Sequence, residues 1–221
     1  GANLLYQAEM FVDGGRGFAT QARMSAAGIP QITVVHGSST AGGAYLPGLS
    51  DYVIMVRGKA KVFLAGPPLL RAATGEIAND EDLGGAEMHA TQSGLAEYLA
   101  DDDAEGIRIA REVMAKLPWS AQLPAQATHA FVEPNYSPDE LAGLVPIDYR
   151  KPVDVREVVA RLVDGSDFLE FKALYGIHTI VGHGTIEGHA VGIVGNNGPI
   201  DADGSTKAAH FIQTCSQSNT P

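Results

Sequence analysis

Apolar positions along this chain switch between two periods. Residues 31–35 (QITVV), 52–56 (YVIMV) and 61–65 (KVFLA) are short runs rich in β-branched residues and apolar on both faces, which predicts buried strands, often parallel. Residues 16–28 are dominated by Ala and long side chains and end at Gly28, a helix with a glycine stop. A short helix is expected near residues 67–74. In residues 101–116, three aspartates precede Ile107, Ala110, Val113 and Met114 at helical spacing, the clearest helix signal in the chain. Periodicity then fades. Six prolines fall between 118 and 152, the texture of a linker. Beyond it, residues 154–163 (DVREVVARLV) read as an amphipathic helix ending at Gly165. Residues 168–176, 178–188 and 189–198 alternate in strand fashion, and residues 205–215 form a last helix with one apolar face.

The pattern is that of an α/β chain with a first domain over 1–118, a linker over 119–152 and the start of a second domain over 153–221. QITVV followed by Gly42-Gly43, and GIVGNNG followed by a helix, are loosely alike, so the two domains are candidates for copies of one architecture. With no initial Met and an end just after a helix, both termini read as cut from something longer.

Composition narrows the function. Of 221 residues, 45% are hydrophobic and 19% charged, an ordinary globular mix. The net charge of −11 argues against a nucleic-acid footprint. No apolar run reaches membrane-spanning length, so no membrane partner is expected. A lone cysteine, Cys215, permits no internal disulfide. The seven histidines and the carboxylates show no metal-ligand spacing, so no metal is expected.

The chemistry concentrates in residues 36–51, HGSSTAGGAYLPGLSD. One reading is a nucleophile elbow, since Gly37-Ser38-Ser39-Thr40-Ala41 approximates G-x-S-x-G, but His89 and His129 lie in no recognisable partner context. The other reading uses Gly42 and Gly43. They follow a strand and open a short helix, with Ser39 or Thr40 as its cap, and amides at such a point suit an enolate or thioester oxyanion. The competing bland reading is that Gly42 and Gly43 only allow close packing.

Several blocks carry a family likeness: Ser39-Thr40-Ala41-Gly42-Gly43-Ala44-Tyr45-x-Pro47, Phe63-Leu64-Ala65-Gly66-Pro67-Pro68-Leu69, Ala72-Ala73-Thr74-Gly75-Glu76, Asp82-Leu83-Gly84-Gly85-Ala86, Asp154–Val158 and Gly192–Gly198. In this order they resemble the carboxyltransferase (β) subunit of biotin-dependent acyl-CoA carboxylases, along essentially the whole chain. The resemblance implies crotonase-like domains of repeated ββα units, the first nearly complete here and the second truncated. It implies that the amides of Gly42 and Gly43 hold the acyl-CoA thioester oxygen, with Ser39, Thr40, Ala41, Ala44, Tyr45, Gly66, Pro67, Thr74 and Gly75 around the substrate, and Asn196 and Asn197 facing biotin. A second oxyanion site, for biotin, is expected beyond Pro221. Arg71, Lys59 and Lys61 are candidates for the CoA phosphates.

With no biotin-attachment motif in the chain, the resemblance further implies that biotin arrives on a biotin carboxylase/biotin carrier partner. It implies a homo-oligomer built through contacts between first and second domains, in the bacterial cytoplasm or the mitochondrial matrix. The motifs are most similar to the branched enoyl-CoA enzymes acting on 3-methylcrotonyl-CoA or geranyl-CoA. Gly14, Ala19 and Thr20 stand where the 3-methylcrotonyl type has Phe and Tyr-Asn, so a roomier, geranyl-type pocket is expected. The plain alternative makes Asp13-Gly14-Gly15 a turn. A different function on the same fold is a hydratase, isomerase or decarboxylase that needs no biotin.

Overall fold

The computed structural model describes residues 4–118, 130–148 and 150–221. The chain divides into two compact units, residues 1–112 and 113–221. Much of the expected linker, residues 119–129 and 149, lies outside the described residues, as does His129.

The first unit opens with α1 (Gln7–Ala26), which starts well before residue 16. Asp13-Gly14-Gly15 is therefore helix and not a turn. Three glycines inside a helix weaken it by roughly 1 kcal/mol each, and docking offsets this. Phe18 meets the Tyr45 ring at a tilt of 57°, with centroids 5.6 Å apart. Gln21 Nε2 donates to the Leu46 carbonyl (2.8 Å) and to Ser50 Oγ (3.1 Å), and Ser25 Oγ donates to Asp51 (2.8 Å). Gly28, at φ 74°, turns the chain out of the helix.

Strands β1 (Ile32–Val35) and β2 (Ser38–Thr40) follow. A 3₁₀ turn (Ala41–Ala44) leads into α2 (Tyr45–Gly48), then β3 (Tyr52–Val56) and β4 (Lys61–Phe63). Helices α3 (Pro67–Thr74), α4 (Asp80–Gly84) and α5 (Ala86–Met88) lead to β5 (Tyr98–Ala100) and α6 (Asp103–Lys116). β1, β3 and β5 form a parallel sheet in the order β1-β3-β5. Every β3 residue is buried, as expected of a central strand covered on both faces. Gly106 lets α6 lie close on this sheet, since a Cβ there would stand 3.0 Å from Val34 Cγ1.

β2 and β4 make a separate parallel pair in the register Ser38–Lys61, Ser39–Val62, Thr40–Phe63. β4 stops at Phe63, short of the expected residue 65, because Gly66 caps α3, with Pro67 opening it. The acidic run Asp80–Asp82 occupies the first turn of α4, where it meets the helix dipole, and Asn79 caps that turn by accepting from the Asp82 amide at 2.7 Å.

The second unit holds α7 (Leu141–Leu144), α8 (Val155–Val159), β6 (Leu169–Glu170), β7 (Thr179–Ile186), β8 (His189–Asn196) and α9 (Ala202–Ser218). Helix α8 ends four residues earlier than its pattern suggests. Ser166 Oγ donates to the Ala160 carbonyl at 2.5 Å and so takes a backbone acceptor that a continuing helix would use. The expected strand over 168–176 shrinks to β6, because Lys172 turns left-handed at φ 50°.

β6, β7 and β8 are antiparallel. The β7–β8 hairpin turns on Glu187 (φ 50°) and Gly188 (φ 77°), whose amides both donate to the Asp164 carboxylate at 2.8 Å. This meander differs from the parallel first unit, so the suggested likeness between the two strand-turn-helix steps does not extend to sheet topology. α9 packs Phe211 and Cys215 into this unit's core, and burial pushes the Cys215 thiol up to about 11. Burial also pushes His183 down to about 4, with Lys116 adding to the shift, and Lys207 down to about 8.

Candidate active site

Thr40, the last residue of β2, is extended (φ −113°, ψ 154°). Ala41 then adopts φ +48°, left-handed backbone that costs a non-glycine residue roughly 1–2 kcal/mol. The 3₁₀ turn Ala41–Ala44 begins at this residue. A left-handed residue followed by helical ones points successive amides into one concavity, an anion nest. In 3₁₀ winding the first i→i+3 bond closes on the cap, so the Gly43 amide is directed at the Thr40 carbonyl. The strain falls where function is commonly found.

The two glycines have no structural reason to be glycine. Neither has positive φ. A Cβ on Gly42 would meet nothing within 4 Å, and one on Gly43 would meet only Ser39 Oγ, at an ordinary 3.6 Å. This overturns the packing-only reading. A side chain at Gly42 would enter open space.

The hydroxyls play other parts than those expected. Thr40 makes no side-chain cap bond, and Ser39 Oγ donates to the Gly43 carbonyl at 2.9 Å, bracing the turn from the acceptor side. Ser38 sits exposed within β2 and not on an elbow. His89 supplies no base: its Nδ1 pairs with Ser93 Oγ at 2.6 Å, its Nε2 with the Val62 carbonyl at 2.7 Å, and burial lowers its pKa.

Beside the turn lies an open groove of about 670 Å³, whose lining includes Thr40, Phe63, Gly66, Pro67, Leu69 and Asn79. The β2–β4 register brings Thr40 and Phe63 side by side, so two motifs more than twenty residues apart meet here. Gly66 and Pro67 are both part of this groove's lining. Thr74 and Gly75 lie at the other end of α3 and serve its C-terminus: Thr74 Oγ1 donates to the Leu70 carbonyl at 2.9 Å, and Gly75 closes the helix at φ 78°.

Ala44 is buried under the turn, and Tyr45 is half exposed against Phe18. Gly14, Phe18, Gln21 and Ser25 recur at i, i+4, i+7 and i+11, one stripe of α1. The last three contact residues 45–51, and exposed Gly14 continues the stripe by one turn.

Lys59 is paired with Asp103 at 2.9 Å, and Lys61 with Glu81 (2.8 Å) and Asp80 (3.6 Å), the Glu81 hydrogen bond holding the Lys61 pKa above its usual value. Arg71 is exposed on α3, and no ion pair to it is seen among the described residues. In the second unit, Asn196 is exposed at the end of β8. The Asn197 side chain accepts from the Val155 amide (2.7 Å) and donates to Asp154 (2.9 Å), a clamp on the start of α8. No group of three or more metal-ligating side chains stands together among the described residues, and no helix among them is long and apolar enough to cross a membrane.

The strain at Ala41 and the placement of Phe63 escaped the sequence. Alanine carries no signal for left-handed backbone, and Phe63 reads as ordinary strand core.

Comparison with known proteins settles the family. A family model described as the carboxyl transferase domain matches residues 1–221. The chain belongs to the carboxyl transferase domain family. It is 51% identical over its full length to the probable biotin-dependent acyl-coenzyme A carboxylase beta2 subunit of Mycobacterium tuberculosis, covering 42% of that protein. It is 49% identical to the mitochondrial methylcrotonoyl-CoA carboxylase beta chain of Dictyostelium discoideum, again over the full chain and 38% of the relative.

Among solved carboxyl transferases, the geranyl-CoA carboxylase beta subunit of Pseudomonas aeruginosa shares 64% identity at TM-score 0.52, over 100% of this chain and 41% of that one. The transcarboxylase 12S structure with hydrolyzed methylmalonyl-coenzyme A bound shares 37% identity at TM-score 0.83, over 94% and 41%. The chain thus spans about two fifths of the length of these relatives. The α/β, crotonase-like class expected from the sequence is the class of this family.

Proposed function

We propose that this chain supplies the acyl-CoA half of a carboxyltransferase that moves a carboxyl group from carboxybiotin to a branched α,β-unsaturated acyl-CoA. The observation that carries the reading is the turn itself. Ala41 is left-handed at the start of the turn, Gly42 and Gly43 are glycines that packing within this chain does not require, and a groove lined by Thr40 adjoins the turn. Transfer of a proton from the carbon vinylogous to the thioester, to a base that the biotin-bearing partner would bring, gives a dienolate whose charge collects on the thioester oxygen. Fixed amides are suited to hold that charge, and one such donor is typically worth about 2.7–4 kcal/mol. The Ser39 bond to the Gly43 carbonyl keeps the turn from relaxing.

The Asn197 amide is already taken at both ends, which leaves exposed Asn196 as the remaining candidate to face biotin. Biotin and its carboxylation are assigned to a biotin carboxylase/biotin carrier partner. A homo-oligomer is proposed by analogy with the 12S relative, whose structure is described as a hexamer assembly. The setting proposed is the bacterial cytoplasm or the mitochondrial matrix; the Dictyostelium relative is described as mitochondrial. A biotin-free hydratase or isomerase would use the same cradle, but the relatives named above include biotin-dependent enzymes, which favours carboxyl transfer.

Geranyl-CoA is proposed as the preferred substrate over 3-methylcrotonyl-CoA. Gly14 extends the α1 stripe past Phe18 and Tyr45 and leaves that place without a side chain: a Cβ there meets nothing within 4 Å. The test is carboxyl transfer by the full-length subunit assembled with its biotin-bearing partner, with both substrates. The wild type should favour geranyl-CoA, and Gly14→Phe should move kcat/KM toward 3-methylcrotonyl-CoA. An unchanged ratio refutes the role of Gly14, and transfer to neither substrate refutes the substrate assignment.

A further inference from the structure

Phe63 lines the groove, yet the amide cradle leaves it no chemical task. Three observations bear on it. Its β4 position is in register with Thr40, the residue that ends β2 immediately before the strained Ala41. Paired strands run about 4.8 Å apart, so the ring is rooted one strand away from the amides. Next, the ring is held between two glycines. A Cβ on Gly66 would stand 3.1 Å from Phe63 Cε2, and one on Gly84 would stand 2.7 Å from Cδ1. Neither glycine has positive φ, so at Gly66, where no other atom comes closer, the ring itself is the reason for the missing side chain. Finally, the ring is only half-buried. Its other surface faces the groove together with Pro67 and Leu69, an apolar wall beside the cradle.

We infer that Phe63 is a specificity-determining residue: its ring, fixed between Gly66 and Gly84, forms the wall against which the apolar acyl group of the substrate packs. The inference rests on the proposed acyl-CoA carboxyltransferase reading. A wall of this kind discriminates by shape. Each methylene gained or lost in an apolar pocket changes kcat/KM by about 10- to 200-fold, so the position of a ring edge sets which acyl length is accepted. Gly66 makes the wall adjustable, because a methyl group there needs only a few tenths of an ångström from the ring. Gly84 does not, because a Cβ there would also come within 2.3 Å of the Val62 carbonyl oxygen.

The experiment uses the full-length subunit assembled with its biotin-bearing partner and a series of acyl-CoA thioesters that differ only in acyl length and branching. Phe63→Leu keeps an apolar side chain and withdraws the ring edge. It should change the long-to-short ratio of kcat/KM about tenfold or more in favour of longer acyl groups, with the melting temperature near that of the wild type. Gly66→Ala pushes the ring and should move the ratio in the opposite direction. A uniform change across the series, in either variant, would show that the ring meets the common CoA portion or only supports the fold, and would overturn the inference. Failure of the underlying reading looks different, since the wild type itself would then carboxylate none of the series.

Discussion

Replacing Gly42 with alanine separates function from folding unusually well. The added Cβ meets nothing within 4 Å, and the backbone there is not left-handed. The fold therefore loses nothing. A compatible Gly→Ala change instead restricts the unfolded chain and stabilises by about 0.4–1 kcal/mol. On the proposed reading, the methyl enters the space a thioester oxygen needs in order to reach the amide. If the oxygen is held off that one donor, the loss is about 2.7–4 kcal/mol of transition-state stabilisation, or roughly 10²- to 10³-fold in kcat. The assay is carboxyl transfer by the assembled full-length enzyme, with thermal melting of the same preparation. The expected pair of results is an unchanged or raised melting temperature and a kcat lower by that factor. Wild-type kcat in a folded variant would refute the cradle, and a large drop in melting temperature would show that the glycine is structural after all.

Ala41→Gly removes the left-handed strain, worth roughly 1–2 kcal/mol, but adds about 0.5–1 kcal/mol of chain entropy to lose. Stability by denaturant titration should thus be equal or slightly higher, while kcat falls because the amides are no longer held in place. A different prediction concerns pH and the second unit. His183 is fully buried, and burial holds its folded pKa at about 4 against 6.5 unfolded. Below pH 6.5 the unfolded chain takes up a proton that the native state refuses. Stability should therefore fall as pH drops from 6.5 toward 4, by about 3 kcal/mol in total for this group. Guanidinium midpoints measured across that range should show the slope in the wild type and a flatter one in His183→Leu, and equal slopes would count against a neutral buried imidazole.

Strands and helix cores were legible where hydrophobic period alone decides. QITVV and YVIMV became β1 and β3 because a strand buried on both faces has few alternatives, and the three aspartates ahead of Ile107 did introduce a helix, α6. The errors fell where tertiary contacts override local preference. Asp13-Gly14-Gly15 has turn chemistry, yet it is helical because Phe18, Gln21 and Ser25 anchor the following turns. α8 lost its last turn to a Ser166 hydroxyl whose partner lies six residues away, and no periodicity encodes that bond. For the proposed site, the sequence drew attention to the turn but weighed its residues unevenly. Gly42 stood out because glycine is a visible anomaly. Ala41, which carries the strain, and Phe63, which borders the groove through strand register, look ordinary until the chain is folded.

The central claim is that backbone amides of the Ala41–Ala44 turn, that of Gly42 among them, polarise the thioester carbonyl. Infrared difference spectroscopy reads that polarisation directly, with a branched enoyl-CoA carrying ¹³C at its thioester carbonyl and bound to the full-length subunit without its biotin partner. The account predicts that the labelled stretch moves to lower frequency on binding to the wild type, and that the shift is lost in Gly42→Ala although the ligand still binds. A bound carbonyl that absorbs where it does in water, or one whose shift survives in Gly42→Ala, would contradict it.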